Sequence, residues 1–176
     1  MVTSALISSE IKSNIISSQK RIQQYINKTP ILYSSAINEI SGANIFFKCE
    51  NFQKIGAFKM RGAINATLSF SKKEIQNGFV THSSGNHAQA VALSSKILKT
   101  KAHIVMPKSA PEIKIKAVKG YGATVYLCEN NEASRIKTCD KIINNTNANF
   151  IHPFDNANVI LGQATCSKEI FDEIDN

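Results

Sequence analysis

Short apolar segments alternate with segments of helical spacing over residues 79–174, and this alternation constrains the fold more than any other feature of the sequence. The apolar segments lie at 79–82, 102–106, 124–128 and 149–152, and the helical ones at 87–98, 111–119, 131–146 and 157–174. Strands that alternate with helices in this way pair in parallel, because each helix carries the chain back to the starting edge of the sheet. Parallel sheets twist and are covered by helices on their faces. The sequence therefore predicts an α/β fold with an open, twisted parallel sheet and flanking helices.

The first 78 residues carry a different pattern. Isoleucines at positions 11, 15, 22 and 26 predict a helix over residues 9–28. This helix should end before Thr29-Pro30, because the residue before a proline avoids the helical region. After it we expect a short extended piece and a helical turn at 31–41, a strand at 45–50, a loop at 51–58 and a helix at 59–71.

Composition and charge argue against several classes of protein. Of the 176 residues 43% are hydrophobic, which is too many for a disordered chain, and no apolar run approaches the roughly 20 residues of a membrane span. The segment 1–16 carries Glu10 and Lys12 and does not resemble a secretory signal, so we expect a cytoplasmic protein. The net charge of +8 is not clustered with aromatic residues, as nucleic-acid binding would require. We expect neither a nucleic-acid nor a membrane partner.

The four cysteines are Cys49, Cys128, Cys139 and Cys166. They form no C-x-x-C pair, and none has a histidine at the spacing of metal ligands. We therefore expect reduced, buried thiols and no metal site among these residues.

Two polar segments that contain glycine, 51–62 and 82–89, follow predicted strands, and open parallel sheets bind ligands at the carboxyl ends of their strands. In the first segment Lys59 begins a predicted helix. The positive end of the helix dipole and partial burial would lower the pKa of its ammonium group, which favours a neutral amine that can form an imine. An ordinary surface lysine is the alternative interpretation.

The second segment joins a strand to a helix through Ser83-Ser-Gly-Asn-His87. Backbone N–H groups at the beginning of a helix bind anions, so residues 83–87 are a candidate anion site. Ordinary helix capping by serine or asparagine is the alternative interpretation.

Together these segments resemble a known family. Gly56-Ala-Phe-Lys-Met-Arg-Gly-Ala63 resembles the lysine motif of pyridoxal-phosphate enzymes of the tryptophan-synthase-β fold type (fold type II), and Ser83-Ser-Gly-Asn-His87 resembles their substrate-carboxylate loop. Further matches, which extend the resemblance from about residue 15 to the end, are Thr29-Pro30, Ser34-Ser35, Phe47-Lys-Cys-Glu50, Met106-Pro-Lys-Ser-Ala-Pro111, Tyr121-Gly-Ala123 and Gly162-Gln-Ala-Thr165. The chain is most similar to the branch of serine racemases and serine/threonine dehydratases.

The resemblance implies a role for each residue of the two motifs. Lys59 would bind pyridoxal 5'-phosphate as a Schiff base and then act as the base at the substrate Cα, with Phe58 lining the cofactor pocket. Asn86 would donate a hydrogen bond to the 3′-oxygen of the cofactor ring. The substrate carboxylate would be held by Ser83, Ser84, Gly85, Asn86 and His87.

The resemblance also places the hydroxyl of Ser84 on the face of the cofactor ring opposite Lys59. Racemisation needs an acid or base on each face, whereas elimination of the β-hydroxyl needs only Lys59. The implied activity is therefore serine racemisation, dehydration of L-serine or L-threonine with loss of ammonia, or both. Phe154 stands where some racemases have a polar residue, and it is compatible with the dehydratases.

A nucleotide site is implied as well. In animal serine racemases the residues that bind ATP near the subunit interface correspond to Ser34, Ser35, Lys54, Gln89 and Tyr121. Here Ile55 replaces a small hydroxyl residue of that site. The resemblance further implies ATP and Mg²⁺ as regulators, and a homodimer, for a full-length form.

Family members are roughly twice as long as this chain. By resemblance, residues 1–79 are the first segment of the large domain, residues 80–155 are a complete small domain, and residues 156–176 are a return helix of the large domain, truncated. The family's glycine-rich phosphate loop has no counterpart among the eight scattered glycines. The alternative interpretation is a catalytically incompetent, truncated paralogue that acts as an interaction partner.

Overall fold

The computed structural model describes residues 10–174 and confirms the α/β fold. The helices are α1 (Ile11–Ile22), α2 (Ser35–Ser41), α3 (Lys59–Leu68), α4 (Lys72–Gln76), α5 (Asn86–Ile97), α6 (Glu112–Gly120), α7 (Glu132–Thr146) and α8 (Ala157–Ile174). The strands are β1 (Ile31–Tyr33), β2 (Phe46–Lys48), β3 (Phe79–His82), β4 (Ala102–Pro107), β5 (Thr124–Cys128) and β6 (Asn149–Phe150). Two short 3-10 turns, Glu50–Phe52 and Lys54–Gly56, lie in the segment predicted to be a loop.

The central sheet has four parallel strands in the order β5-β4-β3-β6. Its central strands β3 and β4 are buried except for His82 at the end of β3, because helices cover both faces, with Phe79 and Ile104 in the main core and Val80 and Val105 in a second cluster with α7. Strand β6 is shorter than the predicted segment 149–152, although the amide of Ile151 still donates to the Val80 carbonyl at 2.9 Å. The parallel arrangement brings the carboxyl ends of β3 and β6 to one edge.

Helix α1 ends at Ile22, six residues before the predicted end at residue 28. The side chain of Gln53 explains why the helix does not reach Asn27. Its Oε1 accepts a hydrogen bond from the Asn27 amide (2.9 Å), and its Nε2 donates to the Asn27 carbonyl (2.8 Å). Both backbone groups of Asn27 are therefore occupied by a distant residue, and the helix cannot use them.

Strands β1 and β2 form a separate antiparallel ribbon, with Leu32 opposite Phe47. This ribbon and the neighbouring segments expose many apolar side chains. They are Leu32, Tyr33, Ile37, Ile40, Phe46, Phe47 and Phe52. The sequence does not distinguish these positions from core positions, because an exposed apolar strand has the same residue types as a buried one.

Helices α3 and α8 touch at two glycines. A Cβ atom on Gly162 would lie 2.5 Å from the Arg61 carbonyl oxygen, and one on Gly62 would lie 2.7 Å from the Val159 carbonyl oxygen. No larger residue fits at either position without moving a backbone. This contact brings the beginning of α3, where Lys59 lies, close to α8.

All four cysteines are free thiols. Cys128 and Cys139 are buried as predicted, whereas Cys49 and Cys166 are only partly buried, so the expectation of burial is wrong for these two. Desolvation by burial raises the pKa of the Cys139 thiol to about 12. Within residues 10–174 no helix combines the length and the apolar character needed to cross a bilayer.

Candidate active site

Lys59 is the first residue of α3 and is partly buried. Its Nζ donates a hydrogen bond to the carbonyl oxygen of Pro153 (3.1 Å) and lies 5.3 Å from the centre of the Phe58 ring. Desolvation by burial lowers the pKa of its ammonium group. The shift increases the fraction of neutral amine, which is the form that attacks a carbonyl carbon.

The loop between β3 and α5 provides unpaired amide groups. Within the described part of the chain the backbone N–H groups of Ser84, Asn86 and His87 donate no hydrogen bond. They precede the first amide of α5 that pairs inside the helix, that of Gln89, which donates to the Gly85 carbonyl (3.4 Å). Such amides together with the helix dipole attract an anion.

Two of the five backbone amides from residue 83 to 87 are already paired within the chain. The amide of Ser83 continues the sheet and donates to the Val105 carbonyl (3.0 Å). The amide of Gly85 donates to the Ser83 hydroxyl oxygen (3.2 Å). Ser83 therefore shapes the loop, and three amides are left for a ligand.

His87 connects this loop to the neighbouring strand. It is 3% exposed, and its Nε2 lies 3.3 Å from the Ile151 carbonyl oxygen, which requires the ring proton on Nε2. Its Nδ1 has no partner within residues 10–174. Burial lowers the pKa of His87 to about 4, and the charge of Lys59 contributes to the shift. Lys59 and His87 thus bind two carbonyl groups of the same segment, those of Pro153 and Ile151, which brings the two polar segments predicted from the sequence to one place.

Other predicted side chains lie at the surface of this region. Phe58 is 42% exposed, and Ser84 and Asn86 are exposed. Their exposure leaves them accessible to a bound molecule. Phe154, beside Pro153, is exposed as well.

The residues of this site fit the reactive end of a pyridoxal cofactor. Lys59 offers an amine with a lowered pKa, and Asn86 offers an exposed amide side chain close to the free N–H groups. The chain matches the family described as pyridoxal-phosphate dependent enzyme over residues 22–176. It belongs to this family.

Relatives within the family include racemases and ammonia-lyases. The chain is 47% identical to the serine racemase of Dictyostelium discoideum over 93% of its own length and 50% of the relative. It is 42% identical to the L-threo-3-hydroxyaspartate ammonia-lyase of Saccharomyces cerevisiae over 92% of its length and 49% of the relative. The structure of maize serine racemase matches with a TM-score of 0.91 at 40% identity, over 93% of this chain and 50% of that one. The chain spans about half the length of the curated relatives it matches.

A buried ion cluster close to Lys59 was not predicted from the sequence, although the segments that resemble the family contain its members Lys48, Glu50, Arg61 and Thr165. The Arg61 side chain is 0% exposed, and all five of its N–H groups have acceptors. Those acceptors are the carboxylates of Glu50 and Glu169 and the hydroxyl of Thr165. Lys48 joins the cluster at 2.8 Å from Glu169. Two positive and two negative side chains thus balance in the interior, which is a condition for burying them.

The residues predicted to bind a nucleotide are spread over several elements of the fold. Tyr121 packs against the main core together with Ile55, next to Lys54, while Gln89 is partly buried in the first turns of α5. Ser34 and Ser35 lie at the beginning of α2, a helix without buried residues, and the Ser34 hydroxyl accepts from the Ile37 amide (3.4 Å) as a helix cap. Between residues 10 and 174 no group of three or more His, Cys, Asp and Glu side chains could hold a metal ion.

Proposed function

We propose that this chain forms the lysine-bearing part of a pyridoxal-phosphate enzyme that acts on serine or threonine, by racemisation, by elimination of ammonia, or by both. The observation that carries this proposal is the position of Lys59. A partly buried amine with a lowered pKa lies at the start of α3 and binds the Pro153 carbonyl, two residues beyond the Ile151 carbonyl that His87 approaches, and the loop before His87 offers unpaired amides.

Each group has a task that follows from its chemistry. The cofactor, when bound, supplies an electron sink for the electrons left on the substrate Cα. Lys59 would hold it covalently and would act as the base at the substrate Cα, Phe58 would line its pocket, and Asn86 would donate a hydrogen bond to its ring oxygen. The free amides of Ser84, Asn86 and His87 hold the substrate carboxylate, because an anion at the start of a helix is stabilised by the dipole.

Ser84 decides between the two reactions in this proposal. The Ser84 hydroxyl is exposed and would return a proton to the face opposite Lys59, which would complete racemisation. Without that transfer, the same deprotonation leads to loss of the β-hydroxyl. The relatives bear the names of both activities, and this supports a site that serves either.

ATP, Mg²⁺ and a homodimer belong to the same proposal for a longer form of the protein. A second candidate function rests on the exposed apolar surface of β1, β2 and α2, which includes Tyr33 at 72% exposure. A patch of this kind favours association with another protein. The chain would then act as an interaction partner without catalysis.

Absorbance spectroscopy separates these candidates. The chain is titrated with pyridoxal phosphate, and the protonated Schiff-base band is recorded for the parent, Lys59→Ala and Lys54→Ala. Lys54 is a matched control, since it is also a partly buried lysine of the same segment. We expect the band in the parent and in Lys54→Ala and its loss in Lys59→Ala. A band that is equal in all three would refute the proposed role of Lys59. D-serine and pyruvate are then assayed in the same samples.

A further inference from the structure

The segment that holds the amine of Lys59 is a tight turn closed by a histidine. The Nδ1 atom of His152 accepts hydrogen bonds from the backbone amides of Phe154 (3.3 Å) and Asp155 (2.7 Å). Side chains that accept from the amide two residues ahead close turns in this way, and asparagine and aspartate are the residues that usually do so. Because Nδ1 accepts both bonds, the proton of the neutral ring lies on Nε2.

The turn lies between two fixed points. Before it, the Ile151 carbonyl accepts from the Thr81 hydroxyl (2.6 Å) and approaches His87 Nε2. After it, the Asn156 side chain accepts from the Val159 amide (3.0 Å) at the start of α8. Between these points the carbonyl of Pro153 is directed at Lys59 Nζ. A proline restricts φ, so the direction of this carbonyl depends on the backbone angles that the turn sets.

We infer that His152 is a positioning residue for Lys59: its Nδ1 closes the turn 152–155, and the turn aims the Pro153 carbonyl at the amine. His152 does not touch the amine in this arrangement. The consequence for catalysis rests on the proposed function of Lys59, whereas the positioning itself is a property of the chain without cofactor.

The His152 ring also has aromatic neighbours, and these offer a competing explanation. Its centre lies 4.6 Å from that of Phe154, 5.8 Å from that of His82 and 5.9 Å from that of Phe150. If ring packing alone shaped the turn, any aromatic residue would replace His152. If the hydrogen-bond acceptor shapes the turn, a residue without a ring could replace His152, provided that it has an oxygen at the position of Nδ1.

Three variants separate the two explanations. His152→Phe keeps a ring and removes the acceptor. His152→Asn removes the ring and keeps an acceptor at the distance of Nδ1, whereas His152→Gln places its oxygen one carbon farther out, near the position of Nε2. Asn and Gln are therefore a matched polar pair, which still decides the question if the Phe variant does not fold.

The readout is the pH profile of Lys59 acylation in the chain without cofactor. Acetic anhydride is used in competition with a reference amine, and the Lys59 peptide is quantified by mass spectrometry. Burial lowers the pKa of this amine, so an amine released into water should have a profile displaced to higher pH. We expect the parent and His152→Asn to agree within error. In His152→Phe and His152→Gln we expect acylation at pH 8 to fall about threefold or more, since half a pKa unit changes the neutral fraction by that factor.

Two results would overturn the inference. One is a Phe variant with the profile of the parent, which would assign the turn to ring packing. The other is an Asn variant in which Lys59 acylation at pH 8 falls as much as in the folded Gln variant. Addition of pyridoxal phosphate followed by borohydride in parallel samples tests the proposed function separately. A parent chain that does not react there, while the acylation profiles differ as expected, would refute the cofactor role and leave the positioning role standing.

Discussion

Arg61 and Glu169 lie 108 positions apart in the chain and meet in a two-point ion pair, with Nη1–Oε1 at 2.7 Å and Nη2–Oε2 at 2.9 Å. Arg61 is two residues beyond Lys59 on α3, and Glu169 is on α8, the helix that follows the Pro153 segment. The pair thus ties together the two parts of the chain that meet at the amine of Lys59. The pair should therefore contribute to the stability of the chain, and this contribution should depend on pH.

Glu169→Gln should destabilise the chain by about 3–5 kcal/mol, because it leaves the buried Arg61 and Lys48 without their shared carboxylate. Urea unfolding followed by circular dichroism measures the change. The control is Glu112→Gln, which breaks the exposed pair between Glu112 and Lys116 on α6. The control should unfold at the parent's urea midpoint, because exposed pairs contribute little. Equal midpoints for both variants and the parent would contradict the structural role of the cluster.

The same carboxylate predicts a loss of stability in acid. Burial alone would raise the pKa of Glu169, but hydrogen bonds from Arg61 and Lys48 outweigh it and lower the pKa. A carboxylate with a lowered pKa in the folded chain contributes stability above its ordinary pKa of 4.5, and this contribution is lost as the pH falls through the folded value. Unfolding free energies measured below pH 5 should fall for the parent and fall less steeply for Glu169→Gln. Parallel curves would contradict the prediction.

His87 should also make the stability of the chain depend on pH, at higher pH values than Glu169. Burial lowers its pKa to about 4 from the ordinary 6.5, so the unfolded chain binds a proton that the folded chain does not bind between these values. Above pH 6.5 His87 therefore does not reduce the free energy of unfolding. This free energy decreases by about 3 kcal/mol as the pH is lowered toward 4, at 1.36 kcal/mol for each pKa unit. Urea titrations at pH 7 and pH 5 test this, with His87→Gln expected to show the smaller difference. An equal difference in both chains would show that another group is responsible.

Gly162→Ala should separate α3 from α8, because the added Cβ would lie 2.5 Å from the Arg61 carbonyl oxygen. We expect a loss of about 1–3 kcal/mol, typical of overpacking, and weaker reaction of Lys59 with pyridoxal phosphate. Gly120→Ala is the matched control, since nothing lies within 4 Å of its Cβ position and its φ is not positive. Thermal unfolding of both variants gives the comparison. A Gly162→Ala chain as stable as Gly120→Ala would contradict the close contact.

Ser84→Ala should lower racemisation but not elimination, in whichever form of the protein is active. Racemisation should fall about a hundredfold, the lower range for loss of a general acid or base, while elimination continues through Lys59. D-serine and pyruvate are measured from the same reaction. Ser83→Ala is the comparison, because the Ser83 hydroxyl accepts from the Gly85 amide inside the loop and should affect both products together. An equal loss of both products in Ser84→Ala would remove Ser84 from the proton transfer.

Local pattern was sufficient to predict the parallel sheet, the helix that begins at Lys59 and the loop before α5, because each depends on residues close together in sequence. It failed for the end of α1, where Gln53 binds the backbone of Asn27, and for Ser83, whose amide joins the sheet. Pro153 and the Arg61 cluster were missed for the same reason, because their contacts join residues far apart in the chain and no local spacing encodes them. His152 was missed although it binds the nearby amides of Phe154 and Asp155, because asparagine and aspartate are the residues that usually close such turns.

The central claim is that Lys59 is the residue that binds pyridoxal phosphate, and peptide mapping tests it most directly. The chain is mixed with the cofactor, reduced with borohydride and digested, and the modified lysines are identified by mass spectrometry. We predict a single dominant conjugate at Lys59, formed in preference to conjugates at the many exposed lysines. Modification spread over the surface lysines, with Lys59 unmodified, would contradict the account.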